Sequence, residues 1–265
     1  MANPLAIHAY STLDAQVEAV KREGFAFFPG ALSTEAITSL RAGMDRLLPI
    51  AENYDWDGTP ESAGFLNKAI NNAFNRDALF LEYLDRPGVI ELAEAIHGSD
   101  CHIIQMTAWI TGPGRPDQEM HVDWLPFALP EDVVADPRVE IPIFISTAHY
   151  YLDDIYEELG PTQFIPGSHR SGRRPNQEEE WGGVQAQNVL CKAGDALLFR
   201  SDVWHRGTAN RSNQVRYLLQ VHYANRWIAQ RFPPYLSFRF DPALLAQTTA
   251  RQRRLLGEHS TGAYT

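Results

Sequence analysis

His121 and Asp123 stand two residues apart in QEMHVDW. In an extended chain residues i and i+2 share a face, so the imidazole and the carboxylate point the same way. Completed by a third ligand from elsewhere, such a pair suits iron, manganese or zinc. Taken alone, a His-x-Asp triplet arises easily in a chain with nine histidines and reads as a surface pair on an edge strand. A second stretch, VWHRGTANRSNQVR from Val203 to Arg216, supplies what the triplet lacks. His205 sits before a Gly-Thr-Ala-Asn turn, and a strand pair joined by that turn sets His205 and Arg216 close together on neighbouring strands. Two imidazoles and one carboxylate form a facial triad, which leaves three positions on the metal for a bidentate co-substrate and oxygen. The arginine then has a task. Its planar fork matches a carboxylate, and each charged hydrogen bond contributes about 1.5–3 kcal/mol. An arginine more commonly ends in a surface ion pair, but the apolar run VRYLLQVHY around Arg216 is bound for the interior.

The elements that must position these residues change in texture near residue 100. Before it, GFAFFPGAL (Gly24 to Leu32) reads as a strand ending in a turn. A helix follows to about Leu48, with Ser33 or Thr34 as its N-cap and Leu40, Met44 and Leu47 at helical spacing. A second helical region covers Asn75 to Ile96 and is broken at Pro87. After residue 100, HIIQMTAWI, EMHVDWLPF, IPIFISTAHYYLD, TQFIPG, DALLFR and VRYLLQVHYANRW are short β-rich segments punctuated by Pro, Gly and Asp. Many short strands so spaced indicate a mainly β fold, a sandwich or a jelly roll. Residues 125–140 carry Pro126, Pro130 and Pro137 and are too long for a hairpin turn. Their apolar side chains suggest a lid over a substrate or a contact between subunits. His169 in PGSH reads as structural, and His149 and His222 as core or pocket histidines. Trp124 and the strand aromatics read chiefly as packing. There is no repeat or linker, so residues 1–265 read as one domain: a helical buttress with the first strand to residue 100, a β core over 101–230, and a C-terminal helix or tail over 231–265.

Composition excludes other classes. The formal charge is −10 with a pI near 5.3, and an acidic chain is poorly suited to clamping nucleic acid. No apolar run of about 18 residues is present, so no membrane span is expected. MANPLAIHAYSTLD lacks the basic and apolar regions of a secretory signal. Cys101 and Cys191 are too few for a disulfide framework or a cysteine zinc site, which fits a reducing, cytoplasmic setting.

Four stretches together resemble a known family, the phytanoyl-CoA dioxygenase-like (PhyH) branch of Fe(II)/2-oxoglutarate oxygenases. They are GFAFFPGALSTEAITSLRAGMDRL, QEMHVDW, YYLDDIYEELGPTQFIPGSH and WHRGTANRSNQVR, and their order and separations span nearly the whole chain. The resemblance implies a double-stranded β-helix (jelly roll) with buttressing helices. It implies His121, Asp123 and His205 as iron ligands and Arg216 as the residue that binds the distal carboxylate of 2-oxoglutarate. Gln118 and Thr162 match positions that contact this co-substrate in relatives, and Asn72 in AINNAF matches more loosely. Where many relatives read E-N-G, this chain has Glu158-Leu159-Gly160, a change in a turn and not at a ligand. The activity implied consumes 2-oxoglutarate and O₂, releases succinate and CO₂, and oxidises a C–H bond of a small-molecule substrate. Halogenating relatives replace the carboxylate ligand with a small residue, so Asp123 favours hydroxylation, or a desaturation or ring closure, over halogenation. Family members act on acyl thioesters, amino acids, alkaloids, terpenoids and aminoglycosides, and the acidic charge slightly disfavours a CoA thioester. The protein is expected as a monomer or homodimer. Two other classes remain open: a non-catalytic jelly-roll binding protein, and a cupin-type metalloenzyme that does not use 2-oxoglutarate. The first predicts missing ligands, and the second leaves Arg216 without a purpose.

Overall fold

Alternation along the strands explains how the layers form. The computed structural model describes residues 3–54 and 64–259, and within it the strands make two principal sheets. In chain order the strands are β1 (Asn3–Pro4), β2 (Phe25–Phe28), β3 (Glu52–Asn53), β4 (Asn67–Asn71), β5 (His102–Thr111), β6 (Ile145–Tyr151) and β7 (Thr162–Phe164). They continue with β8 (Glu180–Trp181), β9 (Val184–Gln185), β10 (Gln187–Asn188), β11 (Ala196–Arg200), β12 (His205–Gly207) and β13 (Arg216–Ala224). The helices are α1 (Leu13–Arg22), α2 (Thr34–Leu47), α3 (Val89–His97), α4 (Glu131–Val134), α5 (Pro242–Leu245) and α6 (Ala250–Leu255). The seven-stranded sheet runs β2-β11-β6-β13-β5-β4-β3, and the four-stranded sheet runs β1-β10-β7-β12.

Leu197 and Phe199 of β11, Tyr151 of β6 and Leu218 of β13 pack with Phe164 of β7, filling the space between the two sheets. The intervening residues Ala196, Leu198, Ala148, Leu219 and Val221 face the other way, onto Leu40 and Met44 of α2 and Ile90 of α3. The large sheet is thus buried on both faces, with helices on one side and the small sheet on the other. This is the jelly roll with a helical buttress expected from the strand pattern. Among the described residues, no helix is long and apolar enough to cross a membrane.

Local chemistry sets the ends of these elements. Ser33 caps α2, its side chain accepting from Ala36 N–H. Gly24 precedes β2 with φ +99, and a Cβ there would lie 2.8 Å from Val203, so glycine alone fits. Residues 75–96 are not one helix interrupted once. Short 3-10 turns occupy Ala73–Asn75 and Ala78–Tyr83, and α3 begins only after Pro87. EMHVDWLPF is not a strand either; only His121 forms a β-bridge there. Pro126 and the bonding of Asp123 N–H to Ser201 O leave that stretch no partner for a longer ladder. In the C-terminal region Arg251 and Arg254 of α6 both grip Glu94 of α3. Residues 260–265 of that expected tail lie outside the described residues.

Candidate metal centre and its cavity

Two backbone bonds hold the first histidine against the second. His121 N–H donates to His205 O and His205 N–H to His121 O, each at 2.9 Å. Asp123 N–H donates to Ser201 O at 2.9 Å, pinning the chain two residues further on. Between these anchors the side chains still alternate. Met120 and Val122 pack with Ile165 and Trp204, while His121 and Asp123 line a cavity of about 540 Å³ on the other side. The i, i+2 relation therefore survives without a regular strand.

Each imidazole is oriented from behind. Nδ1 of His121 is bonded to Glu119 O at 2.8 Å, and Nδ1 of His205 to Val203 O at 2.9 Å. A carbonyl only accepts, so each Nδ1 carries the proton and each Nε2 keeps its lone pair. Asp123 Oδ1 lies 3.4 Å from His205 Nε2 and 3.8 Å from His121 Nε2. The three residues offer ligand atoms all within 4.8 Å of one another. Two imidazoles backed by carbonyls and one carboxylate are what a divalent iron site requires, so these residues fit the metal. The other oxygen, Asp123 Oδ2, accepts from Thr147 Oγ1 at 3.5 Å, and Thr147 Oγ1 also bonds His222 Nδ1 at 2.9 Å.

The electrostatics suit a cation. Surrounding protein raises the cost of charging Asp123, which stays open to the cavity, yet His205, His222 and His121 more than offset it and hold its carboxyl well below the usual range. Burial, with His205 nearby, lowers His121 to about 4. Burial also acts to lower His205, but the facing Asp123 outweighs it and the group is raised. Burial keeps His149 and His222 low, and so uncharged.

Arg216, the first residue of β13, is buried and lines the same cavity. One of its Nη1 hydrogens goes to Gly160 O, and its buried Nε has no hydrogen-bond partner among the described residues. Burial, with Arg115 nearby, lowers it to about 10, which leaves it cationic at neutral pH. A desolvated guanidinium with donor capacity left over is a receptor for an anion. Thr162 opens β7 and accepts from Tyr151 OH at 3.4 Å; Gln118 Oε1 accepts from Gly207 N–H at 2.7 Å. Both line the cavity. Asn72 does not. It adopts a left-handed conformation with φ 54, and its Nδ2 donates to Pro233 O; the neighbouring Asn71 is the one on the cavity wall.

His205 and Arg216 are not on neighbouring strands of one hairpin. β12 pairs with β7 in the small sheet, whereas β13 pairs with β5 and β6 in the large one. The turn between them crosses from one sheet to the other, held by Asn210 Nδ2 on Gln214 O at 2.9 Å. Trp124 packs edge-on against Phe144, as a packing residue would, and also lines the cavity. His169 is buried, with Nε2 on Lys21 O at 2.9 Å, far from any ligand role. Gln220 and Gln105 on the cavity wall escaped the sequence reading. The signal for Gln220 was available: Leu218, Gln220 and His222 follow Arg216 at period two, so one inward residue on β13 implies the others, whereas Gln105 is placed by its pairing with His222 across β5 and β13. Arg115 and Arg231, also on the wall, lie outside regular strands and carried no such signal.

Known proteins share this chain's family pattern and fold. The family model for phytanoyl-CoA dioxygenase (PhyH) matches residues 20–218. "Dioxygenase cdmA" of Talaromyces verruculosus is 24% identical, covering 96% of this chain and 86% of that protein. "L-proline trans-4-hydroxylase" of Streptomyces griseoviridis is 24% identical, covering 80% and 85%. Among solved structures, the epimerase SnoN in complex with Fe3+, alpha-ketoglutarate and nogalamycin RO superposes with a TM-score of 0.64 at 20% identity. That match covers 83% of this chain and 86% of SnoN.

Proposed function

Because the chain belongs to the phytanoyl-CoA dioxygenase family of iron(II)- and 2-oxoglutarate-dependent oxygenases, we propose that it hydroxylates an unactivated C–H bond of a small molecule, as an enzyme of secondary metabolism, with release of succinate and CO₂. Residues 1–265 act as one such domain. The observation that carries this reading is the meeting of His121, Asp123 and His205 with the buried Arg216 on one cavity. The three ligands hold iron(II), and Arg216 binds the distal carboxylate of 2-oxoglutarate, with Gln118 and Thr162 beside it. When both are bound, oxidative decarboxylation of the co-substrate supplies the oxidant. The protein's own part is orientation and dryness. Thr147 steadies the outer oxygen of Asp123, the Glu119 and Val203 carbonyls fix the imidazoles, and Trp124 and Ile145 supply apolar lining beside them. A carboxylate in the third ligand position favours hydroxylation over halogenation. The proline hydroxylase relative supports the same reaction.

The test is anaerobic titration of the iron-loaded protein with 2-oxoglutarate, followed by admission of air and measurement of succinate. Saturable binding and succinate release are expected in the wild type. His121→Ala and His205→Ala should each lose iron at micromolar metal, since each removes one of three protein ligands. Iron content at the wild-type level in either variant would overturn the triad, and succinate-free binding would leave only a binding protein.

A further inference from the structure

Adjoining the triad cavity at Trp124, Ile145 and Ser201 is a second cavity of about 190 Å³, and these three residues line both. Its remaining surface comes mainly from the segment after the metal-binding triplet, through Leu125, Leu129, Ile141 and Phe144. Asp123 N–H and Trp124 N–H both donate to Ser201 O, so the shared wall is attached to the carboxylate ligand itself. Two acidic residues border the cavity and both are already paired, Glu140 with Lys21 at 3.0 Å and Asp202 with Arg200 at 2.6 Å. No uncommitted charge of theirs remains to recruit an ion. Phe127 borders it too and is 61% exposed, an apolar side chain with little to cover it. The triad cavity is different in kind, bordered by Gln105, Asn71, Glu52 and Arg231.

We propose that the apolar cavity is a substrate subsite. It takes an uncharged ring or short alkyl arm of a bipartite substrate whose polar portion occupies the triad cavity. This rests on the oxygenase reading above and adds the chemical class of the substrate. Size supports the assignment, because a dry apolar cavity of about 150 Å³ is enough to hold benzene. Burying such an arm is favourable at about 25 cal/mol per Å² of apolar surface, and it covers Phe127 as well. An arm anchored beside Trp124 fixes which C–H of the attached portion sits next to Asp123 and its partners. The subsite would therefore set regiochemistry in addition to affinity.

Toluene is the probe. The protein loaded with zinc and 2-oxoglutarate is first shown to bind the co-substrate, then titrated with toluene while methyl and indole NMR signals are followed. Saturable shifts confined to Leu125, Leu129, Ile141, Ile145 and Trp124 are expected. They should vanish in Leu129→Trp or Ile141→Phe, two independent cavity-filling variants of which either suffices if it keeps a near-native melting temperature. With iron in air, toluene should raise succinate release severalfold in the wild type and not in the filled variants. Absence of saturable shifts overturns the subsite, as does binding without a rise in succinate, or a rise that survives filling. Failure of 2-oxoglutarate itself to bind overturns the oxygenase reading instead, and is seen before toluene is added.

Discussion

Arg216 combines burial, charge and a hydrogen bond to the Gly160 carbonyl that leaves donors over, and that combination predicts how the co-substrate is held. In Arg216→Leu the fork is lost but the apolar bulk is kept, so 2-oxoglutarate affinity should fall roughly 30-fold to 1000-fold, about 2–4 kcal/mol. Iron content should stay near normal. An isothermal titration in which the dissociation constant moves less than about threefold would assign the carboxylate to another residue. At the metal ligands the pH dependence has a definite sign. Iron needs neutral imidazoles, and His205 is the one raised above its ordinary 6.5 by Asp123. Below that raised value iron must displace a proton, so affinity should weaken by up to about tenfold per pH unit on acidification and level off at higher pH. His121, at about 4, adds a second proton only in stronger acid. Iron affinity that is flat from pH 5.5 to 8.5 would mean that Asp123 does not face His205 in solution.

The segment from Leu125 to Phe144 connects the carboxylate ligand to β6 and contains the short helix α4. It is fastened to the body where Leu129 N–H donates to Gly172 O at 2.8 Å. Gly172 has φ +62, and a Cβ there would come within 2.5 Å of Val134, so any side chain at this point displaces α4. We propose that a segment so attached, bearing an exposed Phe127 beside the apolar cavity, serves as a lid. Lids of this kind exclude water from the reaction. Phe127→Ala should therefore uncouple the enzyme, with 2-oxoglutarate still consumed and less product formed per succinate. An unchanged product-to-succinate ratio together with an unchanged KM would reduce the segment to a plain connector.

Across the whole molecule, several histidines are buried without charge. Burial lowers His97 to about 4 and also lowers His102, His149, His169 and His222. The unfolded chain binds protons at these positions near 6.5 and the folded chain does not. Stability therefore rises with pH across that interval and falls as pH drops from about 6.5 towards 4. His97 alone accounts for about 3 kcal/mol of this once pH reaches its folded value. His205 acts in the opposite direction: its stabilisation is full below 6.5 and is lost as pH rises through its raised value. The sum should favour acid lability. Denaturant unfolding of the metal-free protein should show a lower midpoint at pH 5 than at pH 7.5. A midpoint that does not fall would show that these imidazoles are solvated in the folded state.

The residue types in QEMHVDW and WHRGTANRSNQVR, and their place in the longer pattern, were enough to single out His121, Asp123, His205 and Arg216, which the fold gathers on one cavity, and to indicate a β fold. Metal ligation and carboxylate binding depend on functional groups that few other residues can supply. Short β-rich segments between turn residues likewise report strands without reference to their partners. The arrangement in space depended on contacts distant in sequence. His121 and Asp123 share a face because His205 and Ser201 hold the backbone between them, not because a strand is present. His205 and Arg216 belong to different sheets because the turn between them crosses the jelly roll. Asn72, one residue from the cavity wall, faces Pro233 because its left-handed backbone turns it there. The apolar cavity exists only where the loop after Asp123 folds back over Ser201 and Gly172, residues that local sequence does not bring together. Side-chain chemistry is a property of the residue and travels with the sequence, whereas the choice of pairing partner is decided by the packing of the whole chain.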